Sequence, residues 1–330
     1  MDSLISKIKF FSDNASFEVI SDSNSGAILR KVKDNNTYFL KIIKSDNINI
    51  NKIKKTIEIY KKNDIKTIEL LDYGYINDYV YLIYNFIEGY ALNTIYDKYN
   101  VSDYREMGFK IGDSYRVINS NNKYDKCFFN NYSISDLTNQ VIDLFEKLYN
   151  GELSYIKSIM KEEKINCMIK RMKELVSSFD DEEKVYIHSD IHPKNIVVDN
   201  EHNLYIIDIE SFSLDYFIMN MRWSIMAAFR NKKNNEFFKG FVNGYYNNNI
   251  PPKFNKQLIF ITILNFMEHT IEFSKTKNKE YITGYVSKIN LIFNNIDLFI
   301  DNNILNDIKT FEVIDEIEFE KTEIDDKNEL

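Results

Sequence analysis

The chain has 330 residues, 44% hydrophobic and 15% aromatic, which is long for one domain, comfortable as two lobes and too apolar for wholesale disorder. Its net charge of −8 is concentrated at residues 312–330, EVIDEIEFEKTEIDDKNEL, where nine acids accompany two lysines, so the remainder is near neutral. No basic stripe supports nucleic-acid binding, no run of about 18 uncharged apolar residues supports a membrane span, and the opening MDSLISKIKF lacks the apolar stretch of a signal peptide.

In chain order, FEVI (17–20), GAILRKV (26–32) and TYFLKII (37–43) are short β-like runs separated by polar turns. A helical stretch at 49–62 follows. IELLDYGYI (68–76) and DYVYLIYNFI (78–87) are then joined at Asn77-Asp78, a hairpin turn. Three strands, a helix and two strands make a small mixed α/β lobe. Past residues 87–91 helical patterns dominate, at 104–119, 135–150 and 154–179. VYIH (185–188), NIVVD (195–199) and LYIIDIE (204–210) form a second, smaller β region, and 214–311 is helical apart from NNNIPP (247–252). The expected organisation is an N-terminal lobe at 1–87, a C-terminal lobe at 88–311 and an acidic, solvated or partly ordered tail at 312–330. Cys127 and Cys167 lie far apart without CxxC spacing, which points to buried or idle thiols in a reducing cytoplasm rather than a zinc site. The richness in asparagine, isoleucine and lysine is a compositional bias that says little about function.

The chemistry concentrates in HSDIHPKN (188–195), which holds two of the four histidines. Pro193 keeps His192 out of helical geometry, so the segment is a loop after strand VYIH. Asp190 precedes Asn195 by five residues, and Asp208 follows Asn195 by thirteen. A loop carboxylate, an amide and a second carboxylate at the edges of one hairpin can converge on one point. Phosphoryl transfer asks for such parts: a base beside the acceptor hydroxyl and hard oxygen ligands for magnesium on the nucleotide phosphates. Two other readings stand beside it. His188, Asp190, His192 and Asp208 could ligate a transition metal for hydrolysis, although only His202 and His269 remain to supplement them. The plain alternative is a polar hairpin with a satisfied histidine.

YIHSDIHPKNIVVDNEHNLYIIDIESF (186–212) resembles the aminoglycoside phosphotransferase/choline kinase family, whose members carry a His-Gly-Asp-x-His-x-x-Asn loop and, one hairpin later, Ile-Asp-x-Glu/Asp. Ser189 replaces the usual glycine. The resemblance implies an α+β, bilobal protein-kinase-like fold, with a small mixed-sheet N-lobe and a larger, mostly helical C-lobe. It also implies ATP or GTP and Mg²⁺ as cofactors. By resemblance Asp190 is the catalytic base, Asn195 and Asp208 are magnesium ligands, and His188 is structural. Upstream, the family asks for a strand lysine and a helix glutamate; Lys41 in YFLKII and Glu58, seventeen residues on, are the candidates, the pair orienting the lysine toward the phosphates.

The hinge corresponds to NFIEGYAL (85–92), with the base read by backbone groups near Phe86 and Ile87; the plain alternative is a strand end with Gly89 as its turn. Ser23, Asn24, Ser25 and Gly26 stand where the phosphate-covering turn is expected, without GxGxxG. Where the family often has Asp-Leu near the next helix, this chain reads Asn220-Met221. Asp215, Glu268 and Glu272 are conceivable acceptor contacts. The expected activity is transfer of the γ-phosphate to a hydroxyl of a small acceptor, an aminoglycoside or other antibiotic, by a cytoplasmic monomer or homodimer. A choline, sugar or amino-acid-type acceptor, or a nucleotide-binding pseudokinase, is the alternative.

Overall fold

The computed structural model describes residues 2–5, 7–12, 14–22, 27–121, 123–129, 132–151, 154–222, 225, 228 and 231–302. Ser23, Asn24 and Ser25, Trp223, the expected helical residues 303–311 and the acidic tail at 312–330 lie outside them. The chain divides into two compact units: residues up to Lys98 together with Pro193–Phe212, and Tyr99–His192 together with the residues from Ser213 onward.

In the first unit, a helical turn α1 (Asp2–Ile5) precedes strands β1 (Ser16–Asp22), β2 (Ile28–Lys33) and β3 (Thr37–Lys44), helix α2 (Ile50–Lys62), and strands β4 (Leu70–Ile76) and β5 (Tyr79–Asn85). The five strands form one antiparallel sheet in the order β1-β2-β3-β5-β4. Alternation along β2 and β3 sends Ile28, Val32, Leu40 and Ile42 into a core shared with Ile5, Ile8, Ile76 and Ile83. The β4–β5 turn takes Asn77 left-handed at φ 52°, a conformation asparagine tolerates. Asn49 caps α2 by accepting the Lys52 N–H.

Strand β6 (Gly89–Ala91) pairs with β8 (Ile196–Asp199), which pairs in turn with β9 (Leu204–Ile206). Gly89 is thus a strand residue rather than a turn residue, and a Cβ there would collide with the Val198 carbonyl. The β8–β9 hairpin is tied to the first unit by its backbone: Ile206 N–H donates to the Lys66 carbonyl at 3.0 Å, and Thr67 Oγ1–H donates to the Ile206 carbonyl at 2.6 Å.

The second unit is mostly helical, with α3 (Val101–Asn121), α4 (Ile134–Asn150), α5 (Glu162–Leu175), α6 (Lys232–Tyr245), α7 (Lys253–Thr276), α8 (Lys279–Asn294) and α9 (Ile296–Asp301). The single helix expected at 154–179 is broken into a 3-10 turn, α5 and a second 3-10 turn. At the break, buried Met160 offers its carbonyl to the Tyr149 hydroxyl at 3.0 Å instead of to a helix N–H. Helix α7 is buried nearly all round, Leu258 to Met267 without interruption, and acts as the central post. Among the described residues no helix is long and apolar enough to cross a membrane. Of the two states expected for Cys127 and Cys167, buried or idle, burial does not hold: both are exposed, and they form no disulfide.

Helices α3 and α6 meet through reciprocal glycines. A Cβ on Gly108 or Gly112 would strike the carbonyls of Phe237 or Phe241, and one on Gly240 or Gly244 would strike those of Arg105 or Phe109. Four of the nine glycines are therefore used to bring two helix backbones together. Because backbone cannot move aside as a side chain can, Gly112→Ala should cost about 3 kcal/mol in urea unfolding, the upper end for overpacking. Gly284→Ala in α8, where a new Cβ has nothing within 4 Å, should instead stabilise by up to about 1 kcal/mol in the same measurement.

Candidate active site

Alternation on β3 turns Lys41 away from the Leu40 and Ile42 core. On that opposite side its ammonium forms a close ion pair with Asp208 and a second, at 3.3 Å, with Glu210. Burial pulls the Lys41 ammonium down, but the charges of Glu210 and Asp208 outweigh it and lift it above the usual lysine range. Glu210 itself is pushed up by burial, with Lys41 pulling the other way. Its second oxygen accepts the Tyr84 hydroxyl at 2.9 Å from β5, and burial together with the Glu210 charge keeps that phenol protonated.

The hairpin explains how these carboxylates arrive. The register pairs Ile196 with Ile206, and Ile207 N–H donates to the Asn195 carbonyl at 3.0 Å. Asn195 and Asp208 therefore emerge at the same end of the hairpin. Asp208 adopts a left-handed conformation, φ 59° and ψ 42°, which aspartate visits more readily than most residues. It turns the chain into a 3-10 turn at Ile209–Ser211 that brings Glu210 to Lys41. Beside the charged cluster opens a cleft of about 260 Å³, near the lower end for ligand sites, walled by Phe39, Ile68, Phe86, Ile87, Val197 and Ile207. Phe86 and Ile87, expected at the hinge, and the cluster Lys41, Asp208 and Glu210 thus line one cavity, all within the first unit.

Glu58 is not brought to Lys41. The buried face of α2 is Ile50, Ile53, Thr56, Ile57 and Tyr60; Glu58 lies one residue past Ile57, rotated about 100° around the helix, and is exposed. Tyr60 takes the inward position instead, edge-on to Phe212 at 5.3 Å. Among the described residues, the carboxylates on Lys41 are those of Asp208 and Glu210. Glu210 was visible in the Ile-Asp-x-Glu motif, whereas Tyr84 is one of three tyrosines in β5 and nothing in the sequence set it apart from Tyr79 and Tyr81.

In the second unit, strand β7 (Val185–His188) delivers the loop. Asparagine side chains hold it. The Asn119 Oδ1 accepts the Tyr186 N–H at 2.7 Å while its Nδ2 donates to the Tyr186 carbonyl at 3.0 Å, imitating a neighbouring strand. Asn220 Oδ1 accepts the His188 N–H at 2.9 Å, and its Nδ2 donates to the Phe217 carbonyl at 2.8 Å. Asn220, set aside in the sequence because an acid was expected there, is thus a support of the loop. His188 is fully buried. Asp190 N–H donates back to the His188 carbonyl, and His192 Nε2 lies 3.4 Å from the Asp190 carboxylate, whose side chain keeps 34% of its surface open.

The three acids considered for the acceptor are largely engaged. Asp215 is buried, accepts the Tyr132 hydroxyl and lies 4.0 Å from Lys184. Glu268 is gripped by both arms of Arg222, and Glu272 is exposed, 3.9 Å from His269 Nδ1. No group of three or more His, Cys, Asp or Glu side chains among the described residues is arranged to hold a metal ion.

Removing the Tyr84 hydroxyl (Tyr84→Phe) leaves a buried carboxylate short of a donor and should cost about 1–3 kcal/mol in urea unfolding. Glu58→Gln should change stability by no more than about 0.5 kcal/mol, as for an ordinary surface position.

A family model described as the phosphotransferase enzyme family matches residues 16–253. Among solved structures, the chain is similar to a spectinomycin phosphotransferase in complex with ADP and spectinomycin, at 15% identity and TM-score 0.54, covering 88% of this chain and 93% of that one. It is similar to the ADP-bound aminoglycoside phosphotransferase APH(2'')-Ib at 14% identity and TM-score 0.60, covering 87% and 95%. It is also similar to a Plasmodium vivax ethanolamine kinase at 15% identity and TM-score 0.54, covering 86% and 83%. No curated protein matches the chain. These likenesses bear out the α+β, protein-kinase-like fold expected from the sequence. The family model covers well over half of the chain, which therefore belongs to the phosphotransferase enzyme family.

Proposed function

We propose that the protein transfers the γ-phosphate of ATP or GTP to a hydroxyl of a small-molecule acceptor. The observation that carries this reading is the cleft of the first unit, apolar on the side of Phe86 and Ile87 and bounded on the other by a half-buried lysine held between two carboxylates. A purine fits the apolar side, and its phosphates meet the Lys41 ammonium. The first unit, in this reading, binds the nucleotide and the second supplies the base and holds the acceptor.

In the reaction the acceptor oxygen forms a bond to the γ-phosphorus as its proton passes to the Asp190 carboxylate. The bond from that phosphorus to the β,γ-bridging oxygen breaks, and the nucleoside diphosphate leaves with the electron pair. Asn195 and Asp208, an amide and a carboxylate at one hairpin end, fit Mg²⁺, which prefers such hard oxygen donors. When bound, the ion neutralises charge on the phosphates. Lys41 gives up part of its contact with Asp208 and Glu210 to reach the phosphates, and Glu210, fixed by Tyr84, keeps it in place. His192 faces Asp190 and steadies its carboxylate.

Aminoglycosides and other hydroxylated antibiotics head the acceptor classes, as the solved neighbours include enzymes described by them. The engagement of Asp215 and Glu268 by Tyr132 and Arg222 favours including weakly charged acceptors as well. We place the enzyme in the cytoplasm as a monomer or homodimer.

The test is a panel of hydroxylated acceptors incubated with Mg·ATP or Mg·GTP and scored by the mass of phosphorylated product. Turnover on at least one acceptor is expected, abolished by EDTA. Asp190→Ala should lower it by about two to four orders of magnitude while nucleotide affinity survives. Near-full activity in that variant would remove Asp190 from the role of base, and nucleotide binding without turnover on any acceptor would favour the pseudokinase.

A further inference from the structure

Resting on the reading of the cleft as a nucleotide site, one lining residue bears on which purine it takes. Asn85 ends β5 and lines the cavity beside Phe86 and Ile87. Its backbone N–H donates to the Glu69 carbonyl at 3.1 Å, and its side-chain Oδ1 accepts the Glu69 N–H at 2.6 Å. The second contact settles the amide's orientation, because only an oxygen can accept from a backbone N–H. A free asparagine can turn over and offer either its oxygen or its NH₂ to a ligand. This one has its oxygen committed to the end of β4, and Nδ2 is left as a donor with no partner among the described residues.

The two purines differ in what they bring to such a donor. Guanine carries an acceptor, O6, where adenine carries a donor, N6–H₂, and both carry the acceptor N7. A fixed donor set opposite position 6 rewards the 6-oxo group and opposes the 6-amino group, whereas one set opposite N7 would treat the two purines alike. We propose that Asn85 is a base-specificity residue, its amide locked by Glu69 as a donor that favours 6-oxopurine nucleotides, guanine above all, over adenine.

The replacement Asn85→Asp has the same shape and keeps an oxygen for the Glu69 N–H, but exchanges the remaining donor for an acceptor. The added negative charge repels all nucleoside triphosphates alike, so it cancels when their affinities are compared as a ratio. The measurement is the dissociation constant of the full chain for Mg·ATP, Mg·GTP and Mg·ITP by calorimetry. Inosine triphosphate carries the 6-oxo group without guanine's 2-amino group, so it probes position 6 on the unaltered protein. In the wild-type protein ITP is expected to bind like GTP, both about tenfold tighter than ATP. In Asn85→Asp the ATP-to-GTP affinity ratio should move toward ATP by about tenfold or more. The proposal is overturned if ITP groups with ATP, or if the ratio is unmoved in an Asn85→Asp protein that melts like wild type. If Asn85→Asp does not fold, the wild-type ITP comparison decides alone. Failure of all three nucleotides to bind would sink the kinase reading itself and this inference with it, whereas tight binding without discrimination sinks only the latter.

Discussion

The organisation of the first unit depends on one constraint, a largely desolvated ammonium on a β-strand. A lone lysine taken out of water deprotonates or unfolds its surroundings; Lys41 does neither because two carboxylates meet it. Supplying them requires a second piece of chain, and the β8–β9 hairpin supplies it from some 170 residues downstream, with a left-handed aspartate making the turn. Two acids on one base leave a surplus negative charge, which the Tyr84 hydroxyl eases by donating to Glu210. Each element is there on account of the others: the strand lysine needs the hairpin, and the acidic hairpin needs the lysine.

Much of this was legible in the sequence. Short alternating runs marked the strands of the first unit, and the spacing from Asp190 to Asn195 to Asp208 pointed to the loop and hairpin, because a hairpin's register follows from its apolar pattern and its turn. The partner of Lys41 was not legible. Residue spacing placed Glu58 within reach, but a helix decides which face it buries by its whole apolar stripe, and Ile53, Ile57 and Tyr60 turn Glu58 to solvent. The acid that does meet Lys41 comes from a distant 3-10 turn, and no local pattern announces where such a turn will point. The break before α5 was hidden for a similar reason, since the Tyr149 hydroxyl that occupies the Met160 carbonyl lies on another helix. The expected acceptor contacts were harder still: Asp215 and Glu268 are acids in the sequence, and in the fold Asp215 accepts the Tyr132 hydroxyl while Glu268 pairs with Arg222.

The abundance of asparagine, read as compositional bias, also takes on structural content. Asn85, Asn119 and Asn220 each add side-chain hydrogen bonds to the backbone of a strand or of the residue beside it. An amide has a donor and an acceptor on one plane, so it can stand in for a peptide group. In this chain asparagine side chains add to what backbone pairing supplies at strand ends, as on the short β7.

The glycine contact between α3 and α6 has a mechanical side. Where two helices meet through large side chains, rotamer changes let them slide or roll by small steps. Here carbonyls and Cα atoms face each other directly at the four glycines, and the side chains that pair beside them, Tyr115 with Phe241 and Arg105 with Glu236, clasp the same two helices. The two helices therefore move as one body. Any adjustment of the second unit to acceptors of different size must come from the elements around that pair, such as the loops and α4, α5 and α8, and the α3–α6 pair is the fixed frame against which they adjust.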